Sequence, residues 1–372
     1  MTGRVLIVQA SSGMRGPQRT VVSLAAWLGR RRDVTLAAPR GWVLKEATRR
    51  SPEIEALPLP GTWVADPVAS ARRLRTIARI ESPSIIHANG LRALGIAAPA
   101  ARSTETPVLV HAHGSELTSR ARTVLRAWRM LEIDVHVYGV SRTANALLAT
   151  SSLGARVDGI LPNPIDADLF DVEPPAFGSP VRIGVLASRS PHKGLERLIR
   201  VAAAMRDDDV VWRVFGVRPR ENDAHVRSVR HDAILAGIAD RIEWMGAFSR
   251  PVAAFGSFDV LVVPSDRESF CRAAVEGMAS GRPVVATAIP GLSEIVVDGT
   301  SGLLFDPERP EDGATAIRRV IADPDLRSRL VAGGRRTATE HAVERIGPQL
   351  EAIYRRLTLS PAAAAGRTGA SA

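Results

Sequence analysis

Two glutamates eight positions apart, Glu268 and Glu276, and a lysine followed by glycine, Lys193-Gly194, stand out as residues that could do chemistry. Taken alone, two carboxylates suggest acid–base work. Their surroundings favour a different use. The apolar run Asp259–Val263 reads as a buried strand that ends at Pro264, and a short loop then holds Glu268. A helix is expected to begin at about Phe270 to Arg272, with Gly281 and Pro283 closing it. A helix start just past a strand end presents free backbone N–H groups and a positive dipole end, which suits a diphosphate. In that frame Glu268 accepts hydrogen bonds from hydroxyl groups, and Glu276, about two turns on, reaches a vicinal diol. Ser269, Phe270, Cys271 and Arg272 form the helix start itself.

Lys193 lies in the stretch Leu186 to Leu195, directly after another strand-like run. Only two of the chain's 49 basic side chains are lysines, Lys45 and Lys193. In so arginine-biased a composition, a lysine here points to a need for a compact, strongly hydrated ammonium. A third segment, Val110-His111-Ala112-His113-Gly114-Ser115-Glu116, sits at a strand end, where Gly114 permits close approach to a ligand. His111 and His113 at i, i+2 could contribute to a metal site only with a third ligand from elsewhere, and no metal is assigned. A core or capping role for His111 stands beside that reading. A fourth segment, Ser11 to Thr20, carries Gly13 and Gly16 ahead of an amphipathic helix with Val21, Leu24, Ala25 and Leu28 on one face. It has neither Gly-x-Gly-x-x-Gly nor a Walker lysine, so a phosphate loop and a plain strand-to-helix turn both remain open.

Strand-like runs bounded by Gly, Pro or Asp must position these residues. In the first half they are Val5–Gln9, Val34–Ala38, Ser84–His87, Val108–Ala112, Val135–Val140 and Gly159–Leu161. In the second half they are Val181–Ala187, Val210–Phe215, Ile242–Met245, Asp259–Val263, Pro283–Thr287 and Gly302–Phe305. Such runs, alternating with helical patterns, read as doubly buried strands of parallel sheets in right-handed βαβ units. The fold class is α/β, with two doubly wound, Rossmann-like domains. A proline-rich linker at 171–180 separates a first domain, 1–174, from a second, 180–342. A helix is expected over Val343–Arg356, with Ile346, Leu350, Ile353 and Tyr354 at helical spacing, in a segment of about 343–358 that follows the second domain. Residues 360–372 are small and polar, and disorder is expected there.

Bulk properties exclude some classes. The formal net charge is +10, of which +7 falls before residue 174 and +3 after it. The excess gathers at Arg72, Arg73, Arg75 and Arg79 and at Arg120, Arg122, Arg126 and Arg129. With aromatic content of 4% and no basic arm, nucleic acid is not an expected partner. An anionic membrane surface or a phosphorylated acceptor suits the asymmetry, as do solvated arginine-rich helix faces. A lone cysteine, Cys271, excludes an intramolecular disulfide. The N-terminus enters an apolar strand without a leader pattern, and no apolar run approaches the roughly 18 residues of a membrane span. A cytoplasmic address is expected.

The segment from Pro264 to Ala286, with its two glutamates separated by seven residues, resembles family 4 of the retaining glycosyltransferases, which have the GT-B fold. Gly-Arg-Pro-Val-Val-Ala at 281–286 and Phe270 match the family's style, and Cys271 stands where the family usually has glycine. Lys193-Gly194 matches the family's donor-binding lysine, but the preceding arginine does not align: Ser188 takes its place and Arg189 lies one residue on. His113 resembles the family's sugar-facing histidine, and Gly16 the second glycine of its glycine-rich loop, with Arg15 at the first. Leu161 to Phe170 and Pro290 to Leu304 resemble further stretches, the former with Pro164 at a usual glycine position. The resemblance runs from Val5 to about Phe305. It implies two domains facing across a cleft, with the last helix crossing back to the first. It also implies transfer of a sugar from a nucleoside-diphosphate sugar to an acceptor hydroxyl, with retention and without a metal ion or cofactor. Glu268, Lys193, His113 and Arg189 would act on the reacting groups. Glu276, Ser188, Gly16 and residues Ser269 to Arg272 would bind the donor, Glu276 through its ribose. The acceptor would be a glycan or lipid-linked molecule of glycolipid or cell-envelope polysaccharide synthesis, met at the inner membrane face. A nucleotide-sugar-binding protein without transferase activity, or an epimerase on the same fold, is the alternative.

Overall fold

The computed structural model describes residues 3–61, 66–114, 133–150, 157–170, 172–173, 177–218, 222–247 and 251–359. Ser115, Glu116, the arginines at 120, 122, 126 and 129, part of the expected linker (171 and 174–176) and the tail 360–372 lie outside the described residues.

The chain forms two compact units, residues 1–164 with 342–372, and residues 165–341. The first is built on a seven-stranded parallel sheet. Its strands are β1 (Val5–Val8), β2 (Val34–Pro39), β3 (Glu55–Leu59), β4 (Ile85–Ala88), β5 (Val108–Ala112), β6 (Val135–Gly139) and β7 (Val157–Ile160). Their order is β3-β2-β1-β4-β5-β6-β7, so the winding reverses at β1 and β4. β1, β2, β4 and β5 are buried along their whole length, as strands covered on both faces by helices must be. β3 was not among the runs expected from sequence. It is an edge strand with exposed Glu55 and Ala56 and a proline at 58, so only Leu57 and Leu59 face the core, and no continuous apolar run betrays it.

Helix Gly16–Gly29 buries Val21, Leu24, Ala25 and Leu28 on this sheet. The last helix, Val343–Leu359, extends three residues past the expected Arg356 and inserts Ile346, Leu350, Tyr354 and Leu357 into the same core. Burying a side chain such as Leu350 contributes roughly 1.5–3 kcal/mol. The Tyr354 hydroxyl lies 2.6 Å from Nδ1 of the buried His87, which ties this helix to β4.

The second unit is a six-stranded parallel sheet of β8 (Val181–Leu186), β9 (Val210–Phe215), β10 (Ile242–Gly246), β11 (Val260–Val263), β12 (Val284–Thr287) and β13 (Leu303–Phe305). Their order is β10-β9-β8-β11-β12-β13, and the winding reverses at β8 and β11. One correction concerns the boundary. Ile165 to Phe170, expected in the first domain, belong to the second unit: the Ile165 N–H bonds the His341 carbonyl, and Phe170 packs edge-on to Phe255. No described helix is long and apolar enough to cross a membrane.

Candidate functional site

In open parallel sheets, ligands bind beyond the carboxyl ends of the strands, where the winding reverses. In the second unit that point lies beyond β8 and β11. The loop after β8 carries Ser188, Arg189 and Lys193, and the loop after β11 carries Glu268. The two loops meet. Lys193 Nζ lies 2.6 Å from Glu268 Oε1, and Ser265 Oγ donates to the same oxygen at 3.0 Å. Burial works against the charge on Lys193, but the Glu268 carboxylate outweighs it, and the ammonium's pKa is raised. Lys193 therefore keeps its charge throughout the neutral range.

Backbone packing fixes this geometry. Gly194 has a φ of 68°, and a Cβ there would stand 1.9 Å from the Pro264 carbonyl oxygen, so the lysine's loop can rest on the glutamate's loop only through glycine. A Cβ on Gly291 would likewise meet the Glu268 carbonyl at 1.9 Å. Arg197, 6% exposed, donates from helix Leu195–Ala204 to the carbonyls of Pro264 at 2.9 Å and Pro307 at 2.6 Å and pairs with Asp266, lashing the loops after β11 and β13 to that helix. Thr287 Oγ1 donates to the Ser265 carbonyl at 2.6 Å from beneath.

Helix Arg272–Ala279 starts immediately beyond Glu268, with Cys271 as its N-cap residue. No side chain caps it and no acidic residue stands in its first turn, so its positive end carries no built-in counter-charge. Ser269 and Phe270 are half-buried in the approach to it, and Phe270 stacks edge-on against His341 at 5.2 Å. The Cys271 thiol is buried, and burial together with nearby Glu268 pushes it up to about 12 against the pull of Lys193, so it stays protonated. Glu276 is 1% exposed, and Arg272 Nε donates to its Oε1 at 2.9 Å. Arg272, expected as a donor-binding residue of the helix start, anchors the second glutamate. Ser188 and Arg189 are exposed on the loop after β8.

In the first unit the switch point lies beyond β1 and β4. His113 follows β5 there, half-buried, with Nε2 2.8 Å from Asn89 Oδ1. Asn89 Nδ2 reaches Gln9 Oε1 at 2.6 Å and the Pro17 carbonyl at 2.9 Å. Gln9 Nε2 donates to Ser11 Oγ at 3.2 Å, and Gln18 Nε2 bonds the same hydroxyl. His111 is fully buried, with Nε2 2.8 Å from the Leu161 carbonyl, and its pKa is lowered by burial to about 4. Gly16 begins helix Gly16–Gly29, and a Cβ there would meet nothing within 4 Å, so packing does not demand glycine.

Sequence reasoning missed Arg197, Ser265, Thr287, Gly291, Gln9 and Asn89. Only Asn89 left a signal, as a lone amide between a buried strand and a glycine in Ile86-His87-Ala88-Asn89-Gly90.

Two family models match consecutive parts of the chain: Glycosyltransferase Family 4 over residues 14–169 and Glycosyl transferases group 1 over residues 170–337. The chain belongs to this glycosyltransferase family. Among similar proteins is the D-inositol 3-phosphate glycosyltransferase of Geodermatophilus obscurus, 32% identical over 271 residues. The match takes in 68% of this chain and 59% of that relative, so the glycosyltransferase chain spans about three-fifths of the relative's length. The fold is that of the Anabaena Alr3699/HepE structure in complex with UDP and glucose, with a TM-score of 0.79 at 20% identity over 95% of this chain and 99% of that one. It is also that of sucrose-phosphate synthase from Thermosynechococcus elongatus, with a TM-score of 0.78 at 20% identity over 96% and 99% of the two chains. Both are GT-B structures with two parallel-sheet, Rossmann-like domains, the architecture of this family member.

Proposed function

We propose that the chain transfers a sugar from a nucleoside-diphosphate sugar to an acceptor hydroxyl, with retention at the anomeric carbon and without a metal ion. The observation that carries this reading is the meeting of Lys193, Glu268 and an uncapped helix start at the switch point of the second unit. Lys193 is a fixed cation for the departing diphosphate, and the N–H groups at the start of helix Arg272–Ala279 extend the cradle. Arg189 and Ser188 stand on the same loop as Lys193 and supply further donors. Each such group contributes on the order of 3 kcal/mol to the transition state. Glu268 orients the sugar's hydroxyls. Glu276, steadied by Arg272, accepts from the ribose diol, and His113 takes a sugar hydroxyl. As the bond from the anomeric carbon to the diphosphate breaks, the acceptor oxygen forms its bond on the same face. The acceptor's proton passes to the leaving diphosphate oxygen, so no enzyme nucleophile is consumed.

The relative's named substrate is a phosphorylated polyol, and the structures of Alr3699/HepE hold UDP, glucose or UDP-glucose. These favour a UDP-linked hexose as donor and an anionic acceptor, phosphorylated or lipid-linked, in glycolipid or envelope polysaccharide synthesis. The basic face of helix Pro67–Glu81 suits the same acceptor class. Arg72, Arg73, Arg75 and Arg79 are exposed there beside Val68 and Ile80, a combination fit for the surface of an anionic membrane. Incubation with nucleotide sugars and phosphorylated or lipid-linked acceptors, with detection of product and its anomeric configuration, tests the reading. An inverted product, or turnover unchanged in Glu268→Ala and Lys193→Ala, contradicts it.

A further inference from the structure

Charged side chains also converge at the other end of the first unit's sheet. Arg32 stands in the turn between helix Gly16–Gly29 and β2, beside the amino ends of β1 and β2, whereas the switch point lies at the carboxyl ends. Glu351, Tyr354, Arg355 and Thr358 stand at i, i+3, i+4 and i+7 on one face of helix Val343–Leu359. With Arg32 they line a cavity of about 210 Å³. Arg32 Nη2 donates to the Gly3 carbonyl at 2.6 Å, its guanidinium lies 5.8 Å from the Tyr354 ring centre, and its Nε is buried without a hydrogen-bond partner. Thr358 Oγ1 donates to the Tyr354 carbonyl at 3.0 Å, which leaves its lone pairs to accept. The Tyr354 hydroxyl is engaged by His87, so the ring is a fixed wall. Among the described residues the side chains of Glu351 and Arg355 have no ion-pair or hydrogen-bond partner, and that of Arg32 has no acidic one.

Two cations and one carboxylate thus line one small space without pairing to one another. Glu351 stands four residues before Arg355 on the same helix, the spacing at which such pairs form, and yet the two stay apart across the cavity. We propose that this cavity binds a small phosphate monoester that carries hydroxyl groups, with the phosphate held between Arg32 and Arg355 and a hydroxyl donating to the Glu351 carboxylate. Guanidinium groups match phosphate oxygens in geometry as well as charge, and the buried Nε of Arg32 supplies a donor that nothing else uses. Thr358 Oγ1 accepts from a second hydroxyl. The volume is below the roughly 300 Å³ at which sites for drug-sized ligands begin, so a ligand of a few carbons suits it and a nucleotide sugar does not. Binding here does not depend on the proposed transfer reaction. A ligand held by both arginines ties the turn before β2 to the last helix, and so strengthens the docking of that helix on the first unit.

Proton–nitrogen NMR of the arginine side chains in the full chain tests this. Burial protects the Arg32 Nε–H from exchange, and its signal is assigned by its loss in Arg32→Lys. Glycerol phosphate and inorganic phosphate are titrated in turn. The expected result is a saturable shift of that signal with both, glycerol phosphate binding about tenfold more tightly through its extra hydrogen bond to a charged group. In Arg355→Gln both affinities fall by about tenfold or more. In Glu351→Ala inorganic phosphate binds no more weakly, while the preference for glycerol phosphate is lost. Arg356→Gln, one residue along and in contact with Tyr138 instead of the cavity, leaves both affinities unchanged. The same Arg32 shift in Lys193→Met separates this site from the donor site. Saturating glycerol phosphate also raises the thermal midpoint of the natural chain, and does so less in Arg355→Gln. Absence of a saturable shift at Arg32 Nε–H, a shift of full affinity in Arg355→Gln, or equal binding of the two phosphates by the natural chain would overturn the proposal.

Discussion

Replacing Lys193 with methionine separates what the ion pair does for stability from what the ammonium does for chemistry. Methionine keeps the length and most of the volume of the side chain and deletes the charge. In the structure the ammonium lies 2.6 Å from Glu268 Oε1; the lysine side chain is 26% exposed and the glutamate side chain 9%. Breaking a fully buried pair by removing one partner costs 3–5 kcal/mol, and solvent at the lysine end lowers this to about 2 kcal/mol. Ser265 Oγ still donates to the orphaned carboxylate, which places the loss toward the lower side. Replacing both partners, Lys193→Met with Glu268→Gln, removes the unpaired charge, and stability returns to within about 1 kcal/mol of the natural chain. Activity behaves differently. Loss of a fixed cation from the departing diphosphate is worth about 3 kcal/mol, roughly a hundredfold in kcat, and the double variant does not recover it. Urea denaturation and steady-state transfer measured on the same preparations give both quantities. If the double variant regained activity along with stability, Lys193 would matter only as the partner of Glu268, and the diphosphate role would be wrong.

Arg272→Leu leaves the Glu276 carboxylate, 1% exposed, without its 2.9 Å partner; a loss of about 3 kcal/mol in urea denaturation is expected, with a weaker apparent affinity for nucleotide. Acid should destabilise the protein well before its carboxylates protonate. Burial depresses His111 and His341 to about 4 and His87 further, below the ordinary 6.5 of the unfolded chain. Because the unfolded chain takes up the protons first, the contribution of these three histidines is full above about pH 6.5 and falls toward pH 4, by on the order of 1 kcal/mol per pH unit for each, and His136, whose pKa is raised by Asp134 and Asp158, offsets only a part of it. Urea midpoints that stay level from pH 7.5 to 5 would contradict this. Charge reversal at Arg72 and Arg75 removes four units of charge difference from an exposed face, and each basic side chain near an anionic bilayer is worth about 1 kcal/mol. Salt-sensitive flotation with anionic vesicles should be lost in that variant, and absence of flotation by the natural chain would remove the membrane from the account.

The sheets and the place of Glu268 and Lys193 were legible because their determinants are local. Doubly buried parallel strands write themselves as runs of Val, Ile and Leu, and the helix start beyond Glu268 is framed by Pro264, Gly281 and Pro283 within a short stretch. β3 was not legible, since an edge strand with Pro58 needs only Leu57 and Leu59 to face inward. The residues that set the site's geometry were hidden for another reason. Arg197 reaches Pro264 and Pro307, and Asn89 reaches Gln9, Pro17 and His113, across sequence gaps that no spacing rule covers. Glu276 was read as a ligand for a diol from its separation from Glu268. The sequence also contained its partner, Arg272, four residues before it on one helix face, a spacing that permits an ion pair without requiring one.

The central claim is that the second unit holds a nucleoside diphosphate through Lys193 and the helix start without the help of a metal. Calorimetric titration of the full chain with UDP and GDP in the presence of a chelator tests it most directly. The account predicts saturable binding of one nucleotide, unaffected by the chelator and weakened by about two orders of magnitude in Lys193→Met, in line with the loss of one charge-assisted contact of about 3 kcal/mol. Binding that appears only with a divalent cation, or that is equal in the natural chain and the Lys193→Met variant, would contradict it.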